Sequence, residues 1–145
     1  MVKFCVDAGV KFVTTSAGDP TKYVSVLKEA GITVYHAVPS LDGAIKAINA
    51  GIDGLVVEGT EGGGFKSPIE VGLLVLIQSI RKNSDIPIIA AGGIVDGAGM
   101  AAVFAAGADG IATTIYDETT WDDPVKDALA QGINVISFNI DDANS

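Results

Sequence analysis

Two glycine runs, Glu61-Gly62-Gly63-Gly64-Phe65-Lys66 and Ala91-Gly92-Gly93-Ile94, are the stretches of this sequence best suited to hold a ligand. In each, missing side chains let backbone N–H groups face outward. The second lies just ahead of an expected helix, an arrangement that favours an anion such as phosphate. A Gly-Gly turn is also what close helix packing requires, so either run alone is weak. Gly62, Gly63, Gly64, Gly92 and Gly93 are the candidate binding residues. Glu58 and Glu61 end one strand and could work as an acid–base pair; solvation, or hydrogen bonds to loop N–H groups, is the plainer reading. Lys66 could draw a phosphate or sit solvated. His36, the single histidine, lies mid-strand with no base or nucleophile placed beside it, and reads as a satisfied core or barrel-facing residue. Cys5 stands alone, without a disulfide framework or a CxxC pattern, and reads as a small buried apolar residue. Trp121 reads as a packing anchor. No catalytic residue is assigned, and no metal site, because one His and one Cys on separate elements do not make one.

The elements that must position these residues follow from the pattern around them. Short apolar, β-branched stretches end in loops. Helical stretches follow, opened by Asp19-Pro20, Pro39-Ser40, Ser67-Pro68 and Asp96, and closed by Gly31, Gly51 and Gly107. Strands are expected over 11–16, 32–38, 54–58, 86–91, 110–115 and 135–139. Helices are expected over 2–8, 19–30, 40–50, 67–82, 96–106 and 119–130. The echoes Ala-Gly-Ile-Thr-Val, Ala-Gly-Ile-Asp-Gly, Ala-Gly-Ala-Asp-Gly and Gln-Gly-Ile-Asn-Val mark successive helix-to-strand turns. Hairpin signals between strands are missing, so the strands run parallel in one domain over residues 1–145. The hydrophobic fraction of 48%, with only 6% aromatics, suits strands buried on both faces beneath helices.

Charge excludes some functions. A net charge of −9 leaves no basic patch for nucleic acid. No apolar run reaches bilayer length, and the start lacks a secretory leader, so a cytoplasmic protein with no membrane partner is expected.

The order of motifs over Val10–Gly110 resembles the nitronate monooxygenase (2-nitropropane dioxygenase) family of FMN-dependent TIM barrels. The matching stretches are Phe12-Val13-Thr14-Thr15-Ser16-Ala17-Gly18-Asp19-Pro20, Val38-Pro39-Ser40, Val56 through Gly64, and Ile88-Ile89-Ala90-Ala91-Gly92-Gly93-Ile94. The resemblance implies that Gly92-Gly93 forms one half of an FMN phosphate site, and that Glu61–Lys66 lines flavin and substrate. It also exposes departures. Phe65 stands where many members carry a histidine base. Ala112-Thr113-Thr114-Ile115-Tyr116 replaces the Gly-Thr-Arg-like second half of the phosphate site. Six strands fall short of the barrel's eight. Residues 109–142 resemble instead a lobe of sugar-binding periplasmic proteins, which implies a chimera joined near 108–111.

The expected architecture is therefore an α/β, six-stranded parallel sheet of repeated βα units. It is arranged as a flavodoxin-like doubly wound sandwich or, alternatively, as a partial TIM barrel completed by oligomerisation. The expected function is that of a chimeric scaffold without turnover, a monomer or a self-associating homo-oligomer. No cofactor is required in that reading, and at most weak phosphate or FMN affinity remains. The alternative is an FMN-dependent oxidoreductase of nitronate monooxygenase type.

Overall fold

A computed structural model of the 145-residue chain describes residues 1–63, 68, 70–114, 126, 130 and 134–138, with residues 113, 114 and 134–138 described by backbone alone. The elements follow in the order α1 (Val2–Asp7), β1 (Phe12–Thr15), a 3-10 turn (Pro20–Lys22), α2 (Val24–Glu29), β2 (Thr33–Val38), α3 (Leu41–Asn49), β3 (Gly54–Glu58), α4 (Leu73–Arg81), β4 (Ile88–Ala91), α5 (Gly97–Ala105), β5 (Gly110–Thr114) and β6 (Asn134–Phe138). All six strands pair in parallel, and their order in the sheet is their order in the chain.

The six-stranded parallel sheet of βα units is thus the one expected, and its strand order decides between the two arrangements. A doubly wound sandwich needs a point where the order reverses, so that right-handed crossovers send helices to both faces. Without a reversal every crossover packs its helix on the same face. That is the winding of a barrel, so the partial barrel replaces the flavodoxin-like sandwich.

Burial follows this one-sided layering. Val34, His36 and Val38 of β2, Leu55 and Val57 of β3, Ile88 and Ala90 of β4, and Ile111 of β5 are buried. With them are buried Val24 and Leu27 of α2, Ala44 and Ala47 of α3, Leu73, Leu76, Ile77 and Ile80 of α4, and Met100 and Val103 of α5. Each large aliphatic side chain there contributes about 2 kcal/mol by leaving water. The alternate residues, Phe12, Thr14, Tyr35, Ala37, Val56, Ile89, Ala91 and Ala112, line the opposite, inner face and are half-buried or exposed.

Local signals place most boundaries within a residue or two, with two corrections. Asp19-Pro20 opens only a 3-10 turn. Asp19 accepts the Thr21 N–H at 3.2 Å, but Tyr23 at φ −141° interrupts the helix before α2 begins. Ser67-Pro68 does not open α4, which starts at Leu73 after Gly72. Val71 instead gives its carbonyl to the Thr60 N–H at 3.0 Å, tying the segment back to the end of β3. Lys126 and Ala130, the described positions of the helix expected over 119–130, are helical.

The echoed Gly-x-Asp-Gly turns act as staples at the amino ends of the strands. Asp53 accepts the Val34 N–H at 2.8 Å and pairs with Lys28. Asp109 repeats the arrangement, accepting the Ile88 N–H at 2.8 Å and pairing with Arg81. Arg81 also donates to the carbonyls of Gly107 and Ile86, each at 2.6 Å. Each aspartate thus satisfies an N–H at the start of the neighbouring strand, that of the second residue in β2 and of the first in β4.

Candidate functional site

The carboxyl ends of β3 and β4 are neighbours in the sheet, with Glu58 opposite Ala91. Their following loops therefore meet. Gly62 turns back on Gly59, donating its N–H to the Gly59 carbonyl at 3.1 Å. There its backbone packs on the Gly92-Gly93 turn: a Cβ at Gly92 would lie 2.6 Å from the Cα of Gly62. Both turn residues lie in the left-handed region, at φ +88° and +69°, so glycine is required by conformation as well as by space. Two of the five candidate residues, Gly62 and Gly92, are thereby brought into contact, and a third, Gly93, follows in the same turn with the Glu61 side chain against it. Gly63 lies beside them, exposed, with open space where a side chain would stand. Gly64 lies outside the described residues, as do Phe65 and Lys66.

An anion at this place would be held by the turn rather than by a helix end. Three residues separate Gly93 from α5, and Asp96 caps that helix, accepting the Gly99 N–H at 2.8 Å. The expected helix N-terminus is therefore already served by a carboxylate, which repels phosphate. The N–H groups of Gly92, Gly93 and Ile94 have no acceptor among the described residues. A cradle too tight for any Cβ, with free N–H groups beside an open Gly63, fits one half of a phosphate or flavin phosphate site. The other half, expected around Tyr116, lies outside the described residues.

The two glutamates divide. Glu58 is half-buried at the end of β3, on the inner face, and its side chain lies against Gly62. Glu61 turns the other way and accepts the Leu73 N–H with both carboxylate oxygens, at 3.0 and 3.2 Å. Its expected role as a loop hydrogen-bond acceptor holds, and no acid–base pair forms. Sequence reasoning missed that Gly59 and Gly72 belong with this loop, because both lie close against the Glu61 carboxylate. The recurrence of glycine on both sides of Glu61 was the available signal.

The remaining candidates sit elsewhere. His36 is 5% exposed and faces the helix layer, not the barrel interior. Its Nδ1 lies 2.8 Å from the Thr15 hydroxyl and 3.4 Å from that of Tyr23. Burial disfavours the imidazolium and holds its pKa below the ordinary value. It is the satisfied core residue expected. Cys5, half-buried, lines a cavity of about 370 Å³ between α1, α2 and the edge of β1, away from the glycine turns. No group of three or more potential metal ligands occurs among the described residues. No helix among them is long and apolar enough to cross a membrane. Trp121 lies outside the described residues.

Comparison with known proteins is consistent with this geometry. The sequence profile of the nitronate monooxygenase family matches residues 1–115. A (3aS,4S,5R,7aS)-5-hydroxy-7a-methyl-1-oxo-octahydro-1H-indene-4-carboxyl-CoA dehydrogenase from Rhodococcus jostii is 33% identical over 137 residues, covering 91% of this chain and 38% of that protein. A nitronate monooxygenase from Paraburkholderia phytofirmans is 35% identical over 117 residues, covering 73% and 32%. The solved structure of FabK from Thermotoga maritima superposes with a TM-score of 0.71 at 45% identity, covering 76% and 35%. The chain thus spans about a third of the length of the relatives it matches. These matches overturn the expectation of an inert chimeric scaffold. They also give no support to a sugar-binding lobe or to a seam near 108–111, since the Rhodococcus match runs across that point.

Proposed function

The chain belongs to the nitronate monooxygenase family, and from that premise we propose that it carries the glycine-lined half of an FMN site of an oxidoreductase of that type. The observation that supports this most is the contact of Gly62 with Gly92-Gly93 at the carboxyl ends of adjacent parallel strands, with Gly63 open beside it. In parallel α/β barrels that end of the sheet is where ligands sit. The expectation that no cofactor is required gives way accordingly. FMN bound here would supply the redox chemistry, accepting electrons from the substrate.

The residues of this chain have the tasks of holding and orienting. The N–H groups of Gly92, Gly93 and Ile94 would receive phosphate oxygens, and Gly63 would admit the ligand where a side chain would block it. Glu58 presents a carboxylate on the inner face at the same level of the sheet. Phe65, where many members have histidine, places no base at that point of the loop. The names of the Rhodococcus and Paraburkholderia enzymes share an oxidation and differ in what is oxidised, a carboxyl-CoA compound in one and a nitronate in the other. The proposal extends to the oxidation they share.

Titration of FMN into the 145-residue chain tests the reading: saturable quenching of flavin fluorescence supports it, and an unchanged signal refutes it. The inner face, whose described residues are half-buried or exposed and where the rings of Phe12 and Tyr35 pack with centroids 5.1 Å apart, favours self-association over a monomer. A molar-mass measurement on the same sample decides that point.

A further inference from the structure

Glu61 occupies an unusual place in the loop. Both oxygens of its carboxylate take the first N–H of α4, that of Leu73. Its stem runs along the Gly92-Gly93 turn: a Cβ at Gly93 would lie 2.7 Å from Glu61 Cβ, 3.2 Å from Cγ and 3.8 Å from Cδ. The distances grow toward the carboxylate, so the charge points away from the turn and toward the helix N-terminus, where the helix dipole favours it. Gly59 leaves room for both the carboxylate and the Leu73 backbone, where a side chain would clash with each, and Gly72 lies against the carboxylate at a contact a side chain would crowd. One residue therefore joins three elements: the loop after β3, the start of α4, and the turn after β4.

We propose that Glu61 is the positioning residue of the phosphate cradle, fixing the Gly92-Gly93 turn against Gly62 without touching the ligand. The missing side chains of Gly59, Gly72 and Gly93 make room for Glu61, and that of Gly63 leaves room for the ligand. The proposal rests on the flavin reading for its ligand, but not for the positioning itself.

Two measurements separate these. The first needs no flavin: backbone order parameters from NMR relaxation of the wild-type chain and its variants. In Glu61→Ala the values for Gly92 and Gly93 should fall from a rigid level near 0.85 to below about 0.6, while Gly31 and Gly51 in other turns keep theirs. Glu61→Gln, whose amide oxygen still accepts from Leu73, should stay near wild type. Glu61→Asp, a methylene shorter, should loosen the turn while keeping the charge, and it stands in if the alanine variant fails to fold. A helix cap with no positioning role would leave Gly92 and Gly93 unmoved in every variant, and that overturns the proposal. The second is the ratio of riboflavin to FMN dissociation constants, which isolates the phosphate contribution. Glu61→Ala should weaken FMN by about tenfold and leave riboflavin within about twofold, with Glu61→Gln restoring the ratio. An unchanged ratio beside a loosened turn would remove the phosphate from the proposal. Absence of flavin binding in the wild-type chain would refute the flavin reading, leaving the positioning claim decided by the order parameters.

Discussion

At the amino ends of the strands, Asp53 and Asp109 hold strand N–H groups and pair with Lys28 and Arg81. At the carboxyl ends of β3 and β4, backbone meets backbone at Gly62 and Gly92, and the Glu61 stem fills the space beside Gly93. The first end is satisfied within the chain; the second leaves N–H groups without an acceptor among the described residues. In a parallel barrel sheet this is a division between stability and binding. The contrast gives each end a different response to substitution.

The largest effect on stability is expected at the staples. Asp109→Ala removes the acceptor of the Ile88 N–H and the partner of Arg81, and should cost about 2–3 kcal/mol in urea unfolding. Asp53→Ala should cost a comparable amount, about 1–3 kcal/mol, because Lys28 is more exposed than Arg81 but Asp53 is less exposed than Asp109. Neither should alter the ratio of riboflavin to FMN affinity. A shift in that ratio would break the division between the two ends.

Gly92→Ala crosses the boundary. A methyl group at φ +88°, 2.6 Å from the Gly62 Cα, must push the two loops apart. We expect a stability loss of about 1–3 kcal/mol and loss of FMN binding together.

His36 provides a pH-dependent test of the helix-side core. Its pKa is lowered by burial, so the unfolded chain takes up the proton first as pH falls. Its contribution to stability is complete above the ordinary histidine pKa of about 6.5 and declines as pH drops from there to the lowered folded value, below which it changes no further. Unfolding measured from pH 7.5 to 5 should show this decline, and His36→Gln should flatten it. An identical pH slope in the variant would contradict the burial account.

Gly63→Ala is expected to have the smallest effect on stability, within about 0.5 kcal/mol, since its Cβ points into open space. Its effect should appear in flavin affinity alone. That separation sharpens the contrast, because Gly62 and Gly63 are adjacent in sequence and opposite in role.

Much of the fold was legible because β-branched runs, Gly stops and Asp or Ser caps repeat in phase with the elements. β3 was placed to the residue, and the other strands within two. The sheet's winding was not legible, because strand order depends on which face each crossover chooses, and both faces of a buried parallel strand look alike in sequence. The start of α4 was misplaced because Ser67-Pro68 is a sound local signal, overridden by the pairing of Val71 with Thr60. At the site, the glycines were found, but their roles were not. Gly92 and Gly93 are required by conformation, Gly59 by the start of α4 and the glutamate that caps it, and Gly63 by neither. Spacing cannot separate these cases, since each depends on what lies opposite the missing Cβ.

The central claim is that the glycine-rich end of this sheet is a phosphate-holding half of a flavin site. Parallel titrations of FMN and riboflavin into the 145-residue chain test it most directly, since the two ligands differ by the phosphate alone. Saturable binding with FMN at least about tenfold tighter than riboflavin is the predicted result. Equal affinities, or no binding of either flavin, would contradict it.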